Sequence, residues 1–302
     1  MPEHLPALLM NLLRLMVWLV ILAAIFLPLE RLAPIRRGAL FRKQFFVDLG
    51  YYFLNGLITT ALLGVPAALM AYLAHRMMPA AVLATTAAWP LWVRACAALV
   101  VGEIGYYWAH RLTHRMPLLW RFHAIHHSAE HIDFMVNVRS HPVDIIFTRL
   151  CMLAPLFALG LVNPLHVRDG LIPVLVLLAG VLWGYVIHAN VRWRAGPLEW
   201  LIATPGFHHW HHTHGRGRDC NYASMLPWID RLFGTHHLPK TWPERYGIDQ
   251  PVAPTLLGQL AQPFQGRGRS SPAAPTAIPA ASPSVSPSVS PSVSPAAAAG
   301  AP

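Results

Sequence analysis

Eighteen of the 302 residues are histidine, and fourteen of those lie between positions 110 and 214. Three groups have the spacing of metal ligands. In His110-Arg-Leu-Thr-His114, residues i and i+4 project from one helical face with Cβ atoms about 5–6 Å apart, close enough to share an ion. His123-Ala-Ile-His126-His127 places imidazoles one turn apart and adds an adjacent pair that can point to two different ions. His208-His209-Trp210-His211-His212 repeats the HxxHH spacing. His141 and His188 stand alone at the ends of a hydrophobic hairpin that returns both to the same region. Buried imidazoles without partners cost free energy, so the repeated spacing points to ligation rather than packing. Eight to ten imidazoles exceed what one tetrahedral or octahedral ion takes, so two ions follow. Imidazole suits iron, zinc, copper and nickel. The Glu-x-x-His motifs of soluble di-iron bundles are missing from the His-rich stretch, which describes an all-histidine analogue of that chemistry.

The elements that must position these groups are apolar. Five segments, 7–29, 45–73, 89–109, 142–162 and 171–189, have the length and composition to cross a bilayer, which takes about 20 residues. The second is long, and Gly64 and Pro66 are the expected kink. The first lacks a basic leader and reads as a retained span rather than a cleaved signal. Arg14, Arg94 and Arg149 interrupt the apolar runs and need buried or snorkelling positions. If residues 30–44 face the cytoplasm, so do 110–141 and everything after 190, and these three regions carry five, four and nine Lys/Arg. The opposite side keeps only Arg76 and Arg168, an asymmetry that satisfies the positive-inside rule and puts all the histidine groups on the cytoplasmic face.

The fold class expected is therefore an all-α integral membrane protein with about four to five transmembrane helices and a cytoplasmic helical cap. Its expected organisation is an N-terminal span and basic loop over 1–44, a membrane-embedded catalytic domain over 45–250, and a disordered Pro/Ser/Ala-rich tail over 251–302. Hydrophobic residues make up 55% and charged residues only 12%, with mean hydropathy +0.41, against about 25% charged in soluble domains. The net charge of +10 does not imply nucleic acid, because the basic residues sit between apolar stretches and no zinc-finger, helix-turn-helix or RNA-binding signature is present. Cys96, Cys151 and Cys220 are scattered, odd in number and outside any CxxC pair, which excludes a disulfide framework and a Cys-based zinc site. A metal-ion transporter with a histidine relay is the competing class; it calls for polar residues along the spans, whereas the histidines cluster at one face. A bis-His haem protein would not need HxxHH triplets.

Across residues 45–240, HRLTH, WRFHAIHHS, RSHP, IHAN, TPGFHHWHH and WIDRLFGT occur in order. The chain thereby resembles the sterol desaturase/fatty acid hydroxylase superfamily of membrane di-iron enzymes. The resemblance implies two iron ions, O2 as co-substrate, a separate reductase or electron carrier, and hydroxylation or desaturation of an unactivated lipid C–H bond. Carried over by motif, the ligands are His110, His114, His123, His126, His127, His188, His208, His211 and His212. His141 matches the RxHP position, as a ligand or as a residue behind one. His131, His209 and His214 depart from the pattern and read either as residues behind the ligands or, by preference, as surface residues; His4, His75, His166, His236 and His237 read as surface or packing residues.

Ligand histidines usually donate their second N–H to a carboxylate or carbonyl. Glu103, Asn190 and Asp219 are the leading candidates, with Asp133, Asp144 and Asp230 behind them. Glu103 shares a helical face with His110 but sits two turns away, about 10 Å, too far for direct contact. Asp230 and Arg231 are expected to pair and fix the C-terminal segment. Trp108, Trp120, Trp193 and Trp200 fall near span ends, where an interfacial aromatic belt is the default. A lipid entering laterally from the bilayer would meet the metals at the interface.

Overall fold

A computed structural model describes residues 4–162 and 171–265. Of the tail 251–302, expected to be disordered, residues 251–265 are described and include the helix Leu256–Ala261; the Pro/Ser/Ala-rich stretch 266–302 and the expected hairpin connection 163–170 with His166 and Arg168 lie outside the described residues. Eleven α-helices and no strands occur among the described residues; two isolated bridges, Pro34–Val191 and Thr213–Tyr246, tie loops together.

Helix α1 (His4–Leu32) runs 29 residues and turns Leu8, Leu9, Leu13, Val17 and Val20 outward. It and α8 (Leu171–His188) are each long and apolar enough to span a bilayer, with mean hydropathies of 2.5 and 2.2. Two bent pairs qualify jointly: α2 (Phe45–Leu54), continued by a π-turn, with α3 (Thr60–Met77), and α4 (Ala80–Ala87) with α5 (Leu91–Arg115). Helix α7 (Pro142–Ala158), the fourth expected span, has only 17 residues and is not among the helices long and apolar enough to cross a bilayer. The chain is an all-α integral membrane protein.

The break in the second span differs from expectation. Helix α3 runs straight through Gly64 and Pro66. The bend lies instead at the π-turn Asn55–Thr59, where the widened backbone lets the Asn55 amide donate to the carbonyls of Val138 (3.1 Å) and Ser140 (3.0 Å). That contact ties the second span to the segment preceding α7.

Helices α5 and α7 form the central pair. A Cβ on Gly105 would meet the Cys151 carbonyl at 2.5 Å, so only glycine lets the two backbones approach this closely. Around them Met152, Leu153, Leu156, Phe157, Ile172 and Val176 form one buried cluster; Leu15, Leu22, Phe26, Tyr52, Phe134 and Tyr185 form a second, which docks α1. The short helices that carry the HxxHH motifs, α6 (Pro117–His127) and α9 (Pro205–His211), each begin on proline, as does α7. Its fixed φ and missing N–H suit a helix's first position, so each start is encoded in the proline that opens it. Helices α10 (Trp228–Leu232) and α11 (Leu256–Ala261) complete the cap.

Candidate metal centre

The last two turns of α5 carry His110 and His114, α6 carries His123, His126 and His127, α8 ends on His188, and α9 with its C-cap carries His208, His211 and His212. All nine side chains are buried. They fall into two groups. His110, His114, His123, His127 and His211 form the first; His126, His188, His208 and His212 form the second. Within each group the ring nitrogens offered lie within 4.8 Å of one another. The groups adjoin, with the His127 and His212 rings stacked at 4.5 Å.

The outer nitrogens are held. Nδ1 of His110 faces the Tyr222 carbonyl (2.7 Å), that of His126 the Arg139 carbonyl (3.1 Å), that of His188 the Gly184 carbonyl (2.7 Å), and that of His211 the Cys220 carbonyl (2.8 Å). Nδ1 of His123 faces Asp144 Oδ2 (3.0 Å), and that of His114 faces Asp219 Oδ1 (3.2 Å). An oxygen acceptor requires Nδ1 to carry the proton, which leaves Nε2 as a bare lone pair pointing inward. His110 and His123 then oppose bare Nε2 atoms at 3.2 Å, as do His126 and His188 at 3.2 Å. Two lone pairs cannot hydrogen-bond each other. A cation between them resolves the contact, since two nitrogens at about 2.0–2.1 Å from one ion and at right angles are about 3 Å apart. His114 Nε2 and His211 Nε2, buried without any partner among the described residues, tell the same story. The donor set fits a pair of metal ions.

Burial, reinforced by neighbouring imidazoles, holds His126, His127, His208 and His212 well below the ordinary 6.5. His211 is held at about 3, chiefly by burial. Neutral rings are the form that ligates.

His141 sits apart from both groups. Its Nδ1 accepts from Val143 N (3.1 Å) at the start of α7, and its Nε2 faces the Leu260 carbonyl (3.2 Å), so neither nitrogen keeps a lone pair for a metal. Of the three leading outer candidates only Asp219 touches a clustered histidine. Glu103 accepts from Ser224 Oγ (2.6 Å), Met225 N (2.8 Å) and Leu226 N (3.3 Å), because the 224–226 loop covers its face of α5. Asn190 exchanges two hydrogen bonds with the backbone of Arg36. Asp230 and Arg231 fix the cap with other partners than each other: Asp230 accepts from Tyr222 N, Ala223 N and Thr235 Oγ1, and Arg231 stacks on Trp200 at 4.0 Å. Asp230 thereby steadies the peptide whose carbonyl holds His110.

Other side chains changed place relative to expectation. His209 is fully buried, engaging the Tyr246 hydroxyl (2.8 Å) and the Ala189 carbonyl (3.1 Å), and so braces α9 against the end of α8. His131 is half-buried beside Gly38, and half-buried His214 meets Asp249 at 2.9 Å. Trp120 is not in an interfacial belt; it is buried against His114 and His127, beneath Arg218. Arg139, missed in the sequence, is buried and doubly bonded through its guanidinium to Asp48 (2.5 and 2.9 Å), while its carbonyl holds His126. The RSHP motif contains it, but nothing in the sequence names Asp48 as its partner.

A cavity of about 400 Å³ opens beneath the histidines, with His123, His126, His188 and His208 at one end and Leu15, Leu99 and Val176 among its apolar walls.

The fatty acid hydroxylase family model matches residues 95–235, which include all nine clustered histidines. Over 183 residues the chain is 37% identical to the ornithine lipid hydroxylase OlsE of Rhizobium tropici, covering 60% of this chain and 53% of that protein. It is 31% identical over 173 residues to the alkylglycerol monooxygenase of Danio rerio (55% and 34%), and 31% identical over 147 residues to the very-long-chain aldehyde decarbonylase GL1-7 of Oryza sativa subsp. japonica (44% and 21%). The chain thus spans about half or less of the length of these curated relatives. No solved structure matches it. The nine gathered histidines lie within the stretch, residues 95–235, that matches the fatty acid hydroxylase family, and the relatives it resembles belong to the sterol desaturase/fatty acid hydroxylase superfamily.

Proposed function

We propose that the protein is a di-iron, O2-dependent oxidoreductase that hydroxylates a lipid. The observation that carries this reading is the pairing of bare Nε2 atoms at 3.2 Å in two adjoining groups at the end of an apolar cavity. His110, His114, His123, His127 and His211 would hold one ion, and His126, His188, His208 and His212 the other. When bound, two irons supply the activation of O2 that C–H oxidation requires. Residues 45–250 serve as the catalytic part and 1–44 as the anchoring span and loop.

The chain's own residues do the rest. Asp144, Asp219 and four backbone carbonyls fix ring tautomers and aim the lone pairs. The cavity walls bind an apolar chain, hold its C–H bond beside His126, His188 and His208, and exclude water. Arg218 and Trp120 close the opposite side above His114 and His127. Hydroxylation is favoured over desaturation because the relatives first named are a hydroxylase and a monooxygenase. Charge asymmetry supports a bacterial inner-membrane location with the histidines at the cytoplasmic face, where a separate electron donor can reach them.

Lipid analysis of cells with and without the gene tests the reading. A lipid that gains one oxygen atom only when the gene is present is expected. Loss of two hydrogens without oxygen would replace hydroxylation by desaturation, and an unchanged lipidome would overturn the proposal.

A further inference from the structure

The cavity contains one charged side chain that the proposed chemistry leaves unused. Helix α7 turns Asp144, Ile145, Thr148, Arg149 and Met152 toward it, a single helical stripe. Most polar groups on these walls are engaged: Asp144 with His123, Glu103 with the 224–226 loop, Thr148 with the Asp144 carbonyl (2.9 Å), and Asn55 with Val138 and Ser140. Arg149 lines the cavity, and its guanidinium has no hydrogen bond, ion pair or ring contact among the described residues. A guanidinium buried among apolar side chains is costly and is retained where something pairs with it. Its fixed fork of five donors matches the oxygens of a carboxylate or phosphate.

We propose that Arg149 is an anion-binding residue of the cavity, and that the lipid taken there is acidic, its carboxylate or phosphate oxygens held by the guanidinium. This deepens the lipid-oxidation reading and rests on it for the word substrate. Arg149 is five residues beyond Asp144, about 7–8 Å along the helix axis on the side away from the histidines. The charged group is thereby kept remote from the metal end, and the oxidised carbon lies along the apolar chain rather than next to the charge.

Binding to the full-length, metal-free protein in zwitterionic micelles tests this without turnover. The probes are spin-labelled 12-doxylstearate and its methyl ester, read by the immobilised fraction of the label. The acid should bind about tenfold or more tightly than the ester, the range expected for a charged hydrogen-bonded pair. Arg149→Met should lower acid affinity to that of the ester while leaving the ester unchanged, which separates lost pairing from lost folding. Arg149→Lys should restore part of the preference. Equal binding of acid and ester by the unmodified protein, or a preference that survives Arg149→Met, would overturn the proposal. Displacement of the labelled acid by inorganic phosphate in millimolar excess would also overturn it, since the site would then serve a free anion. A lipidome that gains no oxygen would sink the oxidation reading while leaving this binding result standing.

Discussion

The two histidine groups differ in number, in backing and in access. The five-histidine group is backed by two carboxylates, Asp144 behind His123 and Asp219 behind His114. The four-histidine group is backed by backbone carbonyls alone, and the Nδ1 atoms of His208 and His212 have no partner among the described residues. Three of its four members line the apolar cavity, whereas His123 is the one member of the larger group that does. Anionic backing and five donors suit a firmly held ion. Fewer donors and an open side suit an ion that admits a ligand, as catalytic metal sites keep a position open. On the proposed function, substrate contact falls to the four-histidine side and anchoring to the other.

The largest expected effects come from removing a donor. His126→Ala takes one of four, and His211→Ala one of five; both should abolish turnover while membrane insertion persists, because insertion depends on the apolar helices. The comparison predicts a difference in metal content: His126→Ala should lose its ion outright, and His211→Ala should retain more metal. Equal losses would break the asymmetry. Next come the carboxylates. Asp144→Asn and Asp219→Asn should each weaken metal retention about 10–100-fold, measured by chelator competition, as outer partners of ligand histidines do. The loss should fall on the five-histidine group alone. In the unmodified protein a chelator should strip the four-histidine ion first.

Acid gives a more diffuse effect, spread over many rings. His209 and His211 are held at about 3 in the folded chain, and His126, His127, His208 and His212 well below 6.5. An unfolded chain takes up those protons near 6.5, so below that pH it binds more protons than the folded one. The folded metal-free protein is therefore at full stability above about pH 6.5 and loses it as pH falls, by up to about 1.4 kcal/mol per pH unit for each such histidine. Tryptophan fluorescence during acid titration would follow the loss, and metal loading should move the transition to lower pH. An acid transition that metal does not move would count against ligation by these rings.

Eight of the nine clustered histidines were legible because i, i+3 and i+4 spacing survives folding, His188 only through the IHAN motif, and the prolines that open α6, α7 and α9 mark where those helices begin. What holds the rings was less legible. Four of the six Nδ1 partners are backbone carbonyls, which every residue type carries, so no sequence signal distinguishes Tyr222, Cys220, Arg139 or Gly184. Glu103 lay on the expected face but met a loop 121 or more residues away in sequence. His141 carried the motif yet caps a helix, and His209 sat among ligands yet turned toward Tyr246. Helical periodicity predicts the face a residue occupies; only tertiary packing decides what stands opposite. The kink followed the same logic, set by a π-turn through which Asn55 reaches Val138 and Ser140 rather than by Pro66.

The central claim is that two adjoining groups hold two ions of unequal exposure. Metal analysis of the purified protein, with an optical spectrum, tests it most directly. The account predicts two irons per chain and no haem band, falling to about one in His126→Ala. One ion per chain in the unmodified protein, or an intense haem band, would contradict it.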